Sequence, residues 1–140
     1  MTFEGEAAMY LENMAYKNES GSYDFSIDYE DKEFVIETKS IIKAMINDIL
    51  INTSKEIIAK KFHNTIINFT IKLCSMLGER YGLEKVALSG GVFQNKILLE
   101  GIEEGLRKAG FKVYINKEVP CNDGGVSLGQ IVIANEREMR

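Results

Sequence analysis

The chain has 140 residues, 45% of them hydrophobic and 27% charged, with a net charge of −4 and a pI near 5.1. That is one domain's worth of chain, or a piece of a larger domain, with enough apolar side chains for a packed core. The acidic balance excludes a broad nucleic-acid footprint, and no apolar run approaches the roughly 18–20 residues of a membrane span.

The start of the chain is acidic rather than apolar, unlike a signal peptide. A cytoplasmic protein without a membrane or nucleic-acid partner is expected. The spacing of Ala7, Ala8, Leu11, Met14 and Ala15 predicts a first helix from Glu4 to about Lys17. A polar loop over residues 18–22 follows. Phe25, Ile27 and Tyr29 then alternate with polar residues, and Phe34 and Ile36 lie beyond a turn at Glu30-Asp31-Lys32, which predicts a β-hairpin. Ile41, Ile42, Met45, Ile46, Ile49 and Leu50 give a second, amphipathic helix. Thr53 and Glu56 have capping-box spacing, so a long third helix is expected to start there and run to about Arg80. Gly82 stands where a C-terminal glycine is common.

The last third changes texture. Lys85 to Ser89 reads as a short strand, Lys96 to Ala109 as a helix stopped by Gly110, and Lys112 to Ile115 as a second strand. A strand–helix–strand unit of this length is a crossover between parallel strands. The final helix, from Val126, is apolar on most sides near its start and is expected to be well buried. The fold class is mixed α/β: a small sheet with packed helices. Hairpin and helices occupy residues 1–82, and a strand–helix–strand–helix unit occupies residues 83–140.

Two Gly-Gly turns carry the chemistry. In Ser89-Gly90-Gly91-Val92-Phe93-Gln94-Asn95 the turn leaves a strand and meets a helix. Glycines let a ligand approach the backbone, and a helix start offers N–H groups to an anion such as phosphate. Asn95 could reach back toward a base or ribose. In Val119-Pro120-Cys121-Asn122-Asp123-Gly124-Gly125, Asp123 reads either as the N-cap of the last helix or as an oxygen ligand for a divalent cation.

The other candidates read as structural. His63 is the only histidine and reads as a half-buried packing or hydrogen-bonding residue. Cys121 has no histidine near it in sequence to make it a nucleophile. Cys74 reads as helix core, and Glu103 and Glu104 as a solvated face. Two cysteines outside any C-x-x-C pair argue against structural zinc.

Several of these segments together resemble one family. They are Ser89 to Asn95, Val119 to Gln130, Phe3-Glu4-Gly5-Glu6-Ala7-Ala8, and Ile58-Ala59 with Phe62-His63-Asn64-Thr65. In order and across nearly the whole chain they look like the C-terminal part of the HypF carbamoyltransferases. The Gly-Gly-Val-x-x-Asn turn is shared with tRNA threonylcarbamoyl transferases and O-carbamoyltransferases, but the later Asp motif is similar to HypF.

The resemblance implies one lobe of an actin-like/sugar-kinase type fold. It implies an enzyme of [NiFe]-hydrogenase maturation that uses carbamoyl phosphate and ATP. Carbamoyl-adenylate is formed, and its carbamoyl group passes to the C-terminal cysteine of HypE for cyanide-ligand synthesis. Carried over by motif, Gly90, Gly91 and Asn95 are nucleotide contacts, Glu4 and Gly5 lie near the ribose, and Asp123 is a metal ligand. ATP or carbamoyl-adenylate and a divalent metal ion are the implied cofactors. HypE, other maturation proteins and the N-terminal lobe of the same domain are the implied partners.

The chain departs from the family's pattern in size. The acylphosphatase-like, zinc-binding and adenylate-forming parts have no counterpart here, nor does the His-x-x-x-His pair of the transfer domain. The chain is therefore expected to be a fragment that is inactive alone. The alternatives are a non-catalytic nucleotide- or partner-binding module of the same fold, or a tRNA threonylcarbamoyl transferase relative.

Overall fold

The computed structural model describes Phe3 and residues 5–138. Helix α1 (Glu6–Met14) leads to a hairpin of β1 (Ser26–Glu30) and β2 (Glu33–Glu37). Helices α2 (Lys39–Leu50) and α3 (Lys55–Tyr81) follow. Then come β3 (Lys85–Leu88), a 3-10 turn (Gly91–Gln94), α4 (Lys96–Lys108), β4 (Lys112–Ile115), a second 3-10 turn (Asp123–Gly125) and α5 (Val126–Glu138).

The hairpin is antiparallel, with Tyr29 opposite Phe34. Asp31 and Lys32 both take positive φ in its two-residue turn, the handedness that matches twisted strands. Strands β3 and β4 pair in parallel, with Val86 opposite Val113, and α4 makes the crossover between them. The core lies between this pair, α4 and α3. Leu88, Leu98, Ile102, Leu106 and Val113 are buried there, with Ile66, Ile67, Ile71 and Cys74 of α3 packed against them. Burial raises the Cys74 thiol pKa, which suits an inert core residue.

Helix α3 is the axis of the molecule. It carries α4 on one side and α1 on another. It ends in Gly82 with φ +66, whose N–H returns to Gly78. Its start differs from the capping-box expectation by one residue: Ser54, not Thr53, is the N-cap, and its hydroxyl accepts from the Ile57 N–H. Helix α1 is shorter than expected, and it starts after Gly5 at φ +81. The motif residue Glu4 lies outside the described residues.

Two apolar faces point the other way from the expectation. The final helix is exposed along its whole length, Ile131, Val132 and Ile133 included. Its pattern is that of a buried helix, but among the described residues no layer covers it. On α2, Ile42, Ile46, Ile49 and Leu50 are exposed, and the helix turns Ile41 and Asp48 inward instead. The reason is polar. The Asp48 carboxylate meets Lys61 Nζ at 2.6 Å and accepts from the Tyr23 hydroxyl at 2.9 Å. The Tyr23 backbone N–H in turn donates to Thr65, which is fully buried on α3. Desolvation makes such a pairing costly to break once formed, so it fixes the rotation of α2.

Candidate functional site

The first glycine turn starts where β3 ends. Gly90 sits at φ +106 and ψ 158, a region open essentially to glycine alone. Its N–H donates to the Cys121 carbonyl at 2.8 Å, which ties the two glycine turns together through the backbone. Gly91 differs. It has no positive φ, and a side chain added there would meet nothing within 4 Å. The fold itself therefore gives no reason for glycine at 91.

The chain does not run straight into α4. A 3-10 turn intervenes, with Phe93 N–H donating to Gly90 and Asn95 N–H to Val92. Among the described residues, the N–H groups of Gly91 and Val92 have no acceptor. The start of α4, expected to offer its N–H groups to a ligand, is partly occupied from within. Asn95 Oδ1 accepts from Leu98 N–H at 3.0 Å as the N-cap, and Glu12 Oε1 accepts from Lys96 N–H at 2.6 Å. The N–H groups left without a partner at this corner are thus those of the turn, rather than those of the first turn of α4.

Asn95 has a second partner. Its Nδ2 lies 2.9 Å from His63 Nε2, and His63 Nδ1 lies 2.8 Å from the Ala59 carbonyl. His63 is 2% exposed, so it is a satisfied, hydrogen-bonding core histidine.

These groups border one cavity of about 510 Å³ between α1, α3 and the turn. Gly5, Gly91, Asn95 and His63 line it, and so do the apolar side chains Met9, Phe62, Ile66 and Leu98. Three of the sequence-derived site residues, Gly5, Gly91 and Asn95, therefore meet at one place, and Gly90 sets the turn beside them. A concave, mostly apolar space with a few polar groups at its edge has the make-up of a small-molecule site.

Asp123 takes a different part from the capping one. Asn122 is the cap of the second turn: its Oδ1 accepts from Gly124 N–H at 3.0 Å. Asp123 is exposed and its carboxylate is not spent on the turn. Gly125 is required by packing, since a Cβ there would come within 2.8 Å of the Pro120 carbonyl oxygen. Among the described residues no group of three or more His, Cys, Asp or Glu side chains could hold a metal ion. Asp123 offers a single side-chain ligand, which does not by itself amount to a metal site. Glu104 pairs with Lys108 on the solvated face of α4, whereas Glu103, half-buried rather than solvated, pairs with Arg107. No helix among the described residues is long and apolar enough to cross a membrane.

A parallel strand pair covered by helices, with a Gly-Gly turn leaving the strand toward a cavity, is one lobe of a cleft-forming α/β fold. Residues 1–130 match the family described as the carbamoyltransferase Kae1-like domain, second subdomain. The chain is 36% identical over 133 residues to carbamoyltransferase HypF of Synechocystis sp., covering 94% of this chain and 17% of that protein. Full-length HypF, in a crystal structure of its phosphate- and nucleotide-bound form, superposes with a TM-score of 0.89 at 45% identity, over 97% of this chain and 18% of that one. A tRNA N6-adenosine threonylcarbamoyltransferase of Clostridium beijerinckii is 31% identical over 85 residues, 61% of this chain and 25% of that protein. The chain belongs to the HypF carbamoyltransferase family, as the second subdomain of its Kae1-like domain. It spans less than a fifth of the length of the HypF proteins it matches.

Proposed function

We propose that this chain forms one wall of the nucleotide cleft of a HypF-type carbamoyltransferase. The observation that carries the reading is Gly91. Its backbone conformation and its surroundings both permit a side chain, yet the position faces the cavity bare. A ligand that touches the backbone there accounts for the glycine. The superposed HypF crystal structure is of a phosphate- and nucleotide-bound form, which supports the same ligand class.

In this reading the N–H groups of Gly91 and Val92 donate to phosphate or ribose oxygens. The base lies against Met9, Phe62, Ile66 and Leu98, and Asn95 fixes its edge or the ribose. Gly5, with Glu4 before it, borders the ribose. Asp123 supplies one oxygen ligand to a divalent cation, with the remaining ligands supplied from outside the described residues. The protein to which the lobe contributes uses carbamoyl phosphate and ATP in the cytoplasm. Through carbamoyl-adenylate it carbamoylates the C-terminal cysteine of HypE for hydrogenase cyanide-ligand synthesis. This lobe's part is binding and orientation, and alone it does not turn over. The partial likeness to a threonylcarbamoyltransferase does not displace this reading, because a net charge of −4 is a poor match for tRNA.

Titration of the chain with ATP, beside a Gly91→Ala variant, tests the proposal. The variant is expected to melt at the wild-type temperature and to bind about tenfold more weakly, the loss of roughly one backbone contact. Equal affinity in the two proteins, or no binding by wild type, overturns it.

A further inference from the structure

We propose that His63 is a positioning residue that fixes the orientation of the Asn95 carboxamide and so decides which ligand atom Asn95 can contact; the ligand class rests on the nucleotide reading above.

The geometry is determined by what each partner can do. The Ala59 carbonyl only accepts, so His63 Nδ1, at 2.8 Å, carries the proton. A neutral imidazole with its proton on Nδ1 presents a lone pair at Nε2. The Asn95 atom 2.9 Å from that lone pair must donate, which makes it the NH2 group. The other end of the same carboxamide accepts from the Leu98 N–H at 3.0 Å, as a carbonyl oxygen must. Three hydrogen bonds therefore agree on a single orientation. Reversing the carboxamide would set oxygen against a lone pair at His63 and NH2 against the Leu98 N–H, which leaves buried polar groups unpaired.

The consequence lies in the cavity that both residues line. An Asn carboxamide has two N–H donors, and His63 uses one. One N–H remains for a ligand, and the carbonyl keeps the second of its two lone pairs, so the fixed orientation sets where Asn95 meets a ligand acceptor, such as a ring nitrogen of a base or a ribose or phosphate oxygen, and where it meets a donor. Without His63 only the Leu98 N–H still holds the carboxamide, through its oxygen, and the NH2 end loses its anchor. A histidine that only filled space would have no such effect, and Leu, of similar bulk, would replace it without consequence for Asn95.

The test compares wild type with His63→Leu, His63→Gln and Asn95→Asp. Gln restores an acceptor near the Nε2 position. Asp keeps the α4 cap but removes both N–H donors. Two measurements are made on each: the 15N–1H signals of the Asn95 side-chain amide without ligand, and ATP affinity by calorimetry. In His63→Leu the amide signals are expected to move and ATP to bind about tenfold more weakly, a loss shared by Asn95→Asp. In His63→Gln the signals return toward wild type and affinity recovers to within about threefold. Wild-type affinity or unmoved amide signals in His63→Leu overturn the inference alone, and so does a His63→Gln protein as weak as His63→Leu. A wild-type chain that binds no ATP overturns the nucleotide reading itself, and the role of His63 within it.

Discussion

The backbone N–H of Gly90 donates to the carbonyl of Cys121 at 2.8 Å, so the two glycine turns are held against each other by the main chain. Cys121 enters this corner through its peptide group. Gly90 can make the bond only because it adopts φ +106, from which a residue with a Cβ is all but excluded. The two neighbouring glycines thus have separate reasons. Gly90 serves the fold of the corner, and Gly91 leaves space at the cavity.

Gly90→Ala should therefore behave unlike Gly91→Ala. Strain at residue 90 costs about 1–3 kcal/mol, or it is relieved by a shift of the turn that breaks the contact with Cys121. The expected outcome is a lower denaturation midpoint together with loss of nucleotide binding. Paired urea melts and ATP titrations on the two variants separate the cases. Equal stability losses would contradict the assignment.

The approach of α4 to α3 gives a second prediction. A Cβ on Gly105 would lie 2.0 Å from Ile71 Cδ1 and 2.9 Å from its Cγ1. Alanine gains about 1 kcal/mol in helix propensity over glycine, but overpacking costs about 1–3 kcal/mol. Gly105→Ala should be destabilised by about 1 kcal/mol net. Adding Ile71→Val, which deletes the clashing Cδ1, should return most of the loss. A double variant less stable than the single one would show that the contact is not the cause.

Much of this architecture is legible in the sequence because it is written in local periodicity. The alternation around Ile27 gives the hairpin, the apolar spacing of α3 gives its length, and Gly82 and Gly110 mark helix ends. The site is less legible because its bonds cross the chain. His63 and Asn95 are 32 residues apart, and neither one's surroundings announce the other. An N-cap at Asn95 is open to reading from composition, since Asn is a favoured cap just before a helix. The rotation of α2 and the exposure of α5 are not, because an apolar stripe says that a face wants cover but not which layer supplies it. Asp48, which turns α2 to its observed side, looks in sequence like one more surface acid.

Asp48 also makes an acid-sensitive joint. The Lys61 ammonium, then the Tyr23 hydroxyl, hold its carboxyl pKa below the ordinary value, against the opposing effect of burial. The folded state therefore prefers the carboxylate. Its contribution is fully present above the unfolded pKa, near 4, and is lost as pH falls through the lower folded value. Melting temperature should drop more steeply below about pH 4 in wild type than in Asp48→Asn. At neutral pH Asp48→Ala, which strands Lys61 and Tyr23, should cost about 3 kcal/mol. Parallel acid-side melting curves for wild type and Asp48→Asn would remove Asp48 from this role.

The second glycine turn separates two adjacent residues that look interchangeable in sequence. Asn122 accepts from Gly124 N–H through its side chain and from Gly125 N–H through its carbonyl, whereas Asp123 makes neither bond. Asn122→Ala should therefore lose about 1 kcal/mol, the usual cost of an N-cap side chain. Asp123→Asn, at an exposed position, should melt within about 0.5 kcal/mol of wild type. Urea denaturation of the two variants decides between them. A larger loss at Asp123 than at Asn122 would return the capping role to the carboxylate and leave it unavailable to a ligand.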